Sequence, residues 1–176
     1  MQRSNGSNRQ RDVTGLQPMA TTTRTATLDD FDQLCALHAE VDALHRSAHP
    51  ELFQEIDGPS WSWEEISEWL SSPDKALLVA EYDSRIVGCV HVFIRRAALY
   101  PVHRPRDVGV IDNLVVAESE RRQGHGAILM DAAHAWLLER GVREAELSVY
   151  QFNEPALAFY QREGYRPLLT RLWRRL

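Results

Sequence analysis

Apolar residues in the first third of the chain recur every three or four positions, as on one face of a helix. This spacing predicts a helix that ends before Pro50, because proline cannot continue it. A second, shorter helix is predicted over residues 61–71, where Ser62 and Glu65 have the spacing of a capping box. The apolar positions of the first helix are Phe31, Leu34, Leu37, Val41 and Leu44.

Four stretches before residue 117 have the composition of β-strands. The first covers residues 23–27 and precedes the first helix. Residues 76–82 and 86–94 are separated by a tight turn and predict a β-hairpin. A loop with several arginines and prolines then leads into a strand over residues 108–116.

The second half of the chain alternates helices and strands. A glycine-rich turn is followed by an apolar helix that ends at Gly141, a strand over 145–150 and a short helix over 154–163. The tail from 165 to 172 again has strand composition. The order β-α-α-β-β-β-α-β-α-β predicts an α+β fold, with helices flanking a mixed, mostly antiparallel central sheet.

Length and composition predict one globular domain. The chain has 176 residues, of which 44% are hydrophobic and 26% charged. Residues 1–20 are polar and aperiodic and predict a disordered extension, so the domain is expected over 21–176. No apolar run is long enough to cross a membrane. Cys35 and Cys89 match no metal or redox spacing, which favours a reducing, cytoplasmic location.

The charge of the chain is unevenly distributed. Its net charge is −5, and residues 29–70 carry eleven acidic side chains against one basic side chain, Arg46. A contiguous basic face is therefore missing from this region, which argues against nucleic-acid binding. Some of these carboxylates either stabilise a helix N-terminus, with the rest solvated, or they attract a cationic amine substrate.

The most specific motif is the turn Arg121-Arg122-Gln123-Gly124-His125-Gly126, between a strand and a helix. Backbone amides at a helix N-terminus, freed by glycines, form a binding site for phosphate groups. A P-loop would need a lysine in the turn, but Lys75 is the only lysine of the chain. The dinucleotide motif would need a third glycine where Leu129 stands.

Three segments together resemble the GCN5-related N-acetyltransferase (GNAT) superfamily. They are residues 111–116, the glycine turn 121–126, and residues 147–165, which include an Asn at a helix start and a Tyr in the helix. Their order and spacing match the family, and the predicted elements cover residues 22–176. The resemblance implies the GNAT fold and acetyl-CoA as cosubstrate, without a metal.

The resemblance also assigns residues to the cofactor. The backbone of strand residues 114–116 would pair with the pantetheine arm, and the amides of the turn would hold the pyrophosphate. Arg122 either contacts phosphate or is simply an exposed basic residue. The side chain of His125 is expected to have no role in binding. Asn153 can cap a helix as well as contact the cofactor. The implied cofactor residues are Leu114, Val115, Val116, Arg121, Arg122, Gln123, Gly124, His125, Gly126, Ala127, Asn153 and Tyr160.

The resemblance implies that Tyr160 is the general acid that protonates the departing CoA thiolate; packing beside Phe159 is the alternative. Strand alternation places Asp112 on one face with Leu114 and Val116, as either a general base or a structural acceptor. Glu81 and His91 are weaker candidates for the base. His91 is expected to be a hydrogen-bonded histidine within the sheet.

The predicted reaction is N-acetylation of a primary amine, on a small molecule or peptide, by direct attack on acetyl-CoA. The alternative is a non-catalytic acetyl-CoA-binding regulatory module. The acceptor is expected between the first two helices and loop 95–107, near Trp61, Trp63 and Tyr100. Exposed strand edges and Trp173 in the tail are consistent with a homodimer.

Overall fold

The computed structural model describes residues 20–96, 102 and 104–176. Most of the predicted N-terminal extension and Tyr100 therefore lie outside the described residues. Within them, the strands and α-helices are β1 Thr22–Thr25, α1 Phe31–Ala48, α2 Trp63–Ser71, β2 Lys75–Tyr82, β3 Arg85–Arg95, β4 Val108–Val116, α3 His125–Glu139, β5 Ala145–Leu147 and α4 Glu154–Arg162. Short 3-10 helices cover Leu28–Asp30 and Glu118–Glu120.

The strands form a single mixed sheet in the order β1-β2-β3-β4-β5. The first three pairings are antiparallel, and β4 pairs with β5 in parallel. The predicted α+β class is confirmed. The prediction for the tail is wrong: residues 165–176 form no strand, because no strand of the described chain pairs with them, and Leu172 is 89% exposed.

The sheet opens between β4 and β5. Their pairing covers three residue pairs and ends at Ile111 and Leu147. From residue 112 to 116, the edge of β4 that faces β5 has no partner strand in the described part of the chain. Unpaired N–H and C=O groups are therefore exposed along this edge.

A β-bulge interrupts β4 within the same stretch. His91 of β3 lies opposite Asp112 while Cys89 lies opposite Val115, so β4 carries one extra residue between these pairs. Asn113 takes up the extra length at φ +51°, in the left-handed region that Asn tolerates better than most residues.

The bulge changes which face each later residue of β4 occupies. Ile111, Leu114 and Val116 pack in the cluster on the α3 side, whereas Val115 belongs to the cluster on the α1–α2 side. The predicted alternation is therefore wrong, because it grouped Asp112 with Leu114 and Val116. Asp112 instead lies opposite His91, whose ring stacks on Trp69 of α2.

Two apolar clusters hold the sheet between its helices. Leu129 and Met130 of α3 are fully buried against one face, and Leu34 of α1 and Ile66 of α2 against the other. None of the helices among the described residues has the length and apolar character required to span a membrane.

Asp30 links β1 to the start of α1. Its buried carboxylate accepts hydrogen bonds from Arg24 at 2.7 and 3.0 Å and from the N–H of Thr27 at 2.7 Å. The hydrogen bonds from Arg24 are the main reason that the pKa of Asp30 is lowered from its usual value. The folded state therefore binds this proton less readily than the unfolded state does.

We expect Asp30→Asn to lower the free energy of unfolding by about 1–2 kcal/mol at pH 7. A carboxyl whose pKa is lowered by folding stabilises the protein above its unfolded pKa, and this contribution disappears as the pH falls through the folded value. The difference between wild type and variant should therefore be largest at neutral pH and shrink as the pH falls below the ordinary Asp pKa of about 4, measured by urea unfolding. The exposed Asp57→Asn is the control, and an Asp30→Asn difference that does not change with pH would contradict this account.

Candidate functional site

The candidate site lies where β4 and β5 separate, between the start of α3 and the start of α4. The loop from β4 to α3 supplies backbone amides, and α4 supplies Asn153 and Tyr160. On the other face of the sheet, α1 and α2 contact the polar residues around the bulge.

The amides from Arg122 to Ala127 form a row without partners. Within the described residues, no backbone or side-chain oxygen accepts a hydrogen bond from any of them; the first helical bond of α3 begins at Ile128. Arg122 at φ +66° and Gly124 at φ +92° both lie in the left-handed region, and such turns form concave rows of amides that bind anions. This arrangement fits a pyrophosphate at the positive end of α3.

The polar side chains of the loop are largely engaged elsewhere. Arg121 donates through Nε to the carbonyl of Val116 at 3.1 Å, and its Nη2 lies 3.5 Å from Glu40 of α1. Gln123 donates to Glu120 at 3.0 Å. Arg122 is exposed and forms no ion pair with another described residue, so it is the arginine best placed for a ligand phosphate.

His125 has a different place from the one expected. Its ring is buried, with Nδ1 2.9 Å from the hydroxyl of Thr21 and the ring centroid 5.6 Å from that of Tyr82. The side chain thus anchors the first turn of α3 against the β1–β2 side of the molecule, and only its backbone amide belongs to the row. A lone histidine in a glycine turn gave no signal of this burial.

The close contact between α3 and α4 occurs at Gly126. A Cβ on this residue would lie 3.4 Å from the ring of Phe159, which is ordinary van der Waals contact. Phe159 thus packs directly against the first turn of α3. This contact sets the distance between the row of amides and α4.

Asn153 caps α4, as its alternative role predicted. Its Oδ1 accepts a hydrogen bond from the amide of Ala156 at 3.2 Å. Its Nδ2 has no acceptor among the described residues, so the amide nitrogen remains available to a ligand while the oxygen caps the helix. The two roles are therefore compatible.

Tyr160 lies seven residues after Asn153, about two turns further along α4. Its ring packs between Phe159 and Tyr165, at centroid distances of 5.3 and 6.0 Å, and its hydroxyl bonds to no other described residue. Burial, with a smaller contribution from the charge of Asp112, raises the pKa of Tyr160 to about 12. The phenol is therefore protonated at neutral pH and able to donate.

Asp112 and His91 form a pair on the opposite face of the sheet. The side chain of Asp112 is 52% exposed, and its Oδ2 lies 3.7 Å from Nδ1 of His91, beyond hydrogen-bond distance. Neither ring nitrogen of the buried His91 has a hydrogen-bond partner among the described residues. The expectation of a hydrogen-bonded histidine is therefore wrong there. Glu81 lies in β2, away from the site, and pairs with Arg24.

A polar chain that the sequence did not reveal leads from α1 to Asp112. Asn113 donates to Oδ2 of Asp112 at 2.9 Å, and its Oδ1 lies 3.3 Å from Nε2 of His38. Nδ1 of His38 lies 2.8 Å from the hydroxyl of Ser60, which donates to Asp42 at 2.5 Å. The only hint of this chain in the sequence was His38, which lies four residues after Leu34 on the otherwise apolar face of α1.

A cavity of about 380 Å³ opens between α1 and the segment that leads to α2. Asp42, Glu55 and Arg46 line it together with apolar side chains, including Phe53 and Ile56. Two of its three charged lining groups are therefore acidic. Its wall includes Ser60 and Asp42, the outer end of the polar chain to Asp112.

The aromatic residues expected near the acceptor have separate roles. Trp61 is buried and packs against His38 with ring centroids 4.2 Å apart, whereas Trp63 packs on Phe31 at the start of α1. Tyr150 follows β5, and its ring lies against that of Phe53 with centroids 5.7 Å apart. The region after β5 therefore borders the cavity.

Comparisons with known proteins agree with this geometry. The family model described as Acetyltransferase (GNAT) family matches residues 39–165. An uncharacterized N-acetyltransferase of Archaeoglobus fulgidus is 36% identical over 100 residues, which cover 56% of this chain and 66% of that protein.

Solved structures show the same fold. A mutant BH1408 protein of Bacillus halodurans has a TM-score of 0.84 at 24% identity, covering 88% of this chain and 99% of that one. The aminoglycoside N-acetyltransferase AAC(6')-Iy, solved in complex with CoA, has a TM-score of 0.71 at 17% identity, covering 92% and 98%.

Proposed function

Since the chain belongs to the GNAT family of acetyltransferases, we propose that it transfers an acetyl group from acetyl-CoA to the primary amine of a small molecule or peptide. The observation that carries this proposal is the row of unpartnered amides from Arg122 to Ala127, directly beside the open edge of β4. An elongated ligand with a pyrophosphate at one end and an amide-containing arm fits these two features together.

The cofactor would contact three parts of the site. The pyrophosphate would accept hydrogen bonds from the loop amides, with Arg122 adding charge-assisted contacts. The pantetheine arm would pair with the backbone of Leu114, Val115 and Val116, as an added strand does. Nδ2 of Asn153 would donate to the arm while its Oδ1 continues to cap α4.

The thioester of acetyl-CoA supplies an activated acetyl group. For the transfer, the hydroxyl of Tyr160 would donate its proton to the departing sulfur, because the phenol is protonated and has no other partner in the described chain. The carboxylate of Asp112 would accept a proton from the amine, directly or through water, so that the amine attacks in its neutral form.

The cavity beside α1 is the proposed acceptor site. Its carboxylates, Asp42 and Glu55, favour a cationic amine, and the acidic block of residues 29–70 extends the same field. Two of the solved structures that share the fold are aminoglycoside acetyltransferases, which supports a small polycationic acceptor.

The test is release of free CoA from acetyl-CoA in the presence of a panel of amines: a polyamine, an aminoglycoside, single amino acids and a short peptide. We expect turnover with at least one cationic small molecule. Thermal shift with acetyl-CoA is measured in parallel. Stabilisation without CoA release for any amine would favour the non-catalytic binding module over the enzyme.

Asn153 allows the cap and the cofactor contact to be separated. In Asn153→Asp the capping oxygen is kept and the Nδ2 donor is lost, so we expect the stability to change by less than about 0.5 kcal/mol. Acetyl-CoA affinity should fall by about 1 kcal/mol, the contribution of one hydrogen bond, as measured by calorimetry. Asn153→Ala is the matched variant that loses both. Equal acetyl-CoA affinity in Asn153→Asp and wild type would remove Asn153 from the cofactor site.

A homodimer remains a prediction for this chain. Leu172 and Trp173 in the tail are exposed to 89% and 61%, an apolar surface that a second copy would cover. Size-exclusion chromatography with light scattering measures the oligomeric state, and a monomer at high concentration would contradict it.

A further inference from the structure

The side chain of Asn113, the left-handed residue of the bulge, connects β4 to α1. Asn113 is the residue of β4 at φ +51°, and its amide reaches Asp112 on one side and His38 of α1 on the other. Its amide nitrogen donates to Asp112, so its oxygen is the acceptor that faces His38. Nε2 of His38 is therefore the donor of the hydrogen bond to Asn113.

His38 itself is fixed on every side. The residue is 8% exposed, and its ring packs against that of Trp61 with centroids 4.2 Å apart and planes tilted by 32°. Nδ1 is within 2.8 Å of the Ser60 hydroxyl and 3.3 Å of the carboxylate of Asp42. A ring held on its face and at Nδ1 can point Nε2 in one direction only, towards Asn113.

Asp112, by contrast, has little else to hold it. The bond from Asn113 is the only hydrogen bond that its carboxylate accepts from the described residues, and His91 approaches no closer than 3.7 Å. With half of its side chain exposed, Asp112 would sample several rotamers if Asn113 were released.

We infer that His38 is a positioning residue that orients the Asp112 carboxylate through Asn113. The inference rests on the proposed function, in which Asp112 takes the proton of the acceptor amine. His38 touches neither acetyl-CoA nor the amine in this arrangement. Its contribution is to keep Asn113, and so one oxygen of Asp112, in a single orientation at the reaction centre.

Two substitutions of similar volume separate the hydrogen bond from packing. His38→Leu removes the donor, whereas His38→Gln places a side-chain N–H close to the position of Nε2. We expect His38→Leu to lower kcat by about 10- to 100-fold with the KM for acetyl-CoA unchanged. His38→Gln should recover most of the loss. Equal losses in the two variants would show that His38 acts through packing alone.

A double-mutant cycle tests whether the effect passes through Asn113. Asn113→Gly keeps the bulge, because glycine adopts a positive φ without strain, but it removes the amide link. We expect the double variant His38→Leu, Asn113→Gly to be no slower than Asn113→Gly alone. Additive losses in kcat would overturn the inference, since they would mean that the two residues act independently.

A structural measurement decides the question even if no acceptor amine is found. In a crystal structure of His38→Leu we expect the Asn113 side chain to rotate and the Asp112 carboxylate to leave its wild-type position. In His38→Gln both should stay in place. An unmoved Asp112 in His38→Leu would overturn the inference, whereas failure of the wild type to release CoA would bear only on the proposed function.

Discussion

Tyr160→Phe is expected to lower kcat for acetyl transfer by about 10²- to 10⁴-fold, the usual contribution of a positioned general acid. The substitution removes only the hydroxyl, and the ring keeps its contacts with Phe159 and Tyr165. The KM for acetyl-CoA and the thermal stability should therefore change little. The measurement is initial-rate CoA release at saturating amine.

The pH profile gives a second check on the same residue. Because burial and the charge of Asp112 raise the pKa of Tyr160 to about 12, the phenol stays protonated well above pH 10. We expect no alkaline fall in kcat near pH 10, the ordinary value for tyrosine. Tyr165→Phe is the matched control, since its hydroxyl is occupied by His134 at 2.8 Å. Comparable losses in the two variants would contradict the assignment of Tyr160 as the acid.

Gly124→Ala is expected to weaken acetyl-CoA binding by at least about 10-fold. Gly124 precedes α3 at φ +92°, where an alanine costs about 1–2 kcal/mol and would favour a different orientation of the amides. One misdirected amide loses a charge-assisted bond to the pyrophosphate, which costs a further 1.5–3 kcal/mol or so. Isothermal calorimetry with acetyl-CoA measures the change.

Gly141 provides the control for this prediction. It follows the other end of α3, at φ +75°, and like Gly124 it has open space where a Cβ would lie. Gly141→Ala should therefore destabilise the fold to a similar extent without changing acetyl-CoA affinity. Equal losses of affinity in the two variants would mean that strain in α3 alone explains the result.

Local sequence signals predicted the loop before α3 and the start of α4 well. The glycine turn, the helix that follows it and the capping role of Asn153 depend on residues that lie close together in the chain. The positions of the five observed strands along the chain were likewise predicted, because each is bounded by turns or helices with their own signals. Those features place the loop and α4 on either side of the opening in the sheet.

The region around Asp112 was predicted less well because its geometry depends on residues that are distant in the chain. The bulge at Asn113 is a mismatch between two strands, and alternation within β4 alone could not reveal it. The bond from His38 to Asn113 spans 75 residues of sequence. The strand predicted for the tail is wrong for a related reason. Its composition suits a strand, but a strand needs a neighbouring strand, and none in the described chain pairs with this segment.

The separation of β4 from β5 also bears on the colloidal behaviour of the protein. Without ligand, backbone groups of residues 112–116 lack a partner strand along this edge, although Arg121 bonds the carbonyl of Val116, and the strand of another molecule can add there. A pantetheine arm along this edge would occupy the same groups. Bound acetyl-CoA would therefore prevent another strand from adding to this edge. We expect ligand-free protein to aggregate faster than protein kept with acetyl-CoA, as measured by light scattering.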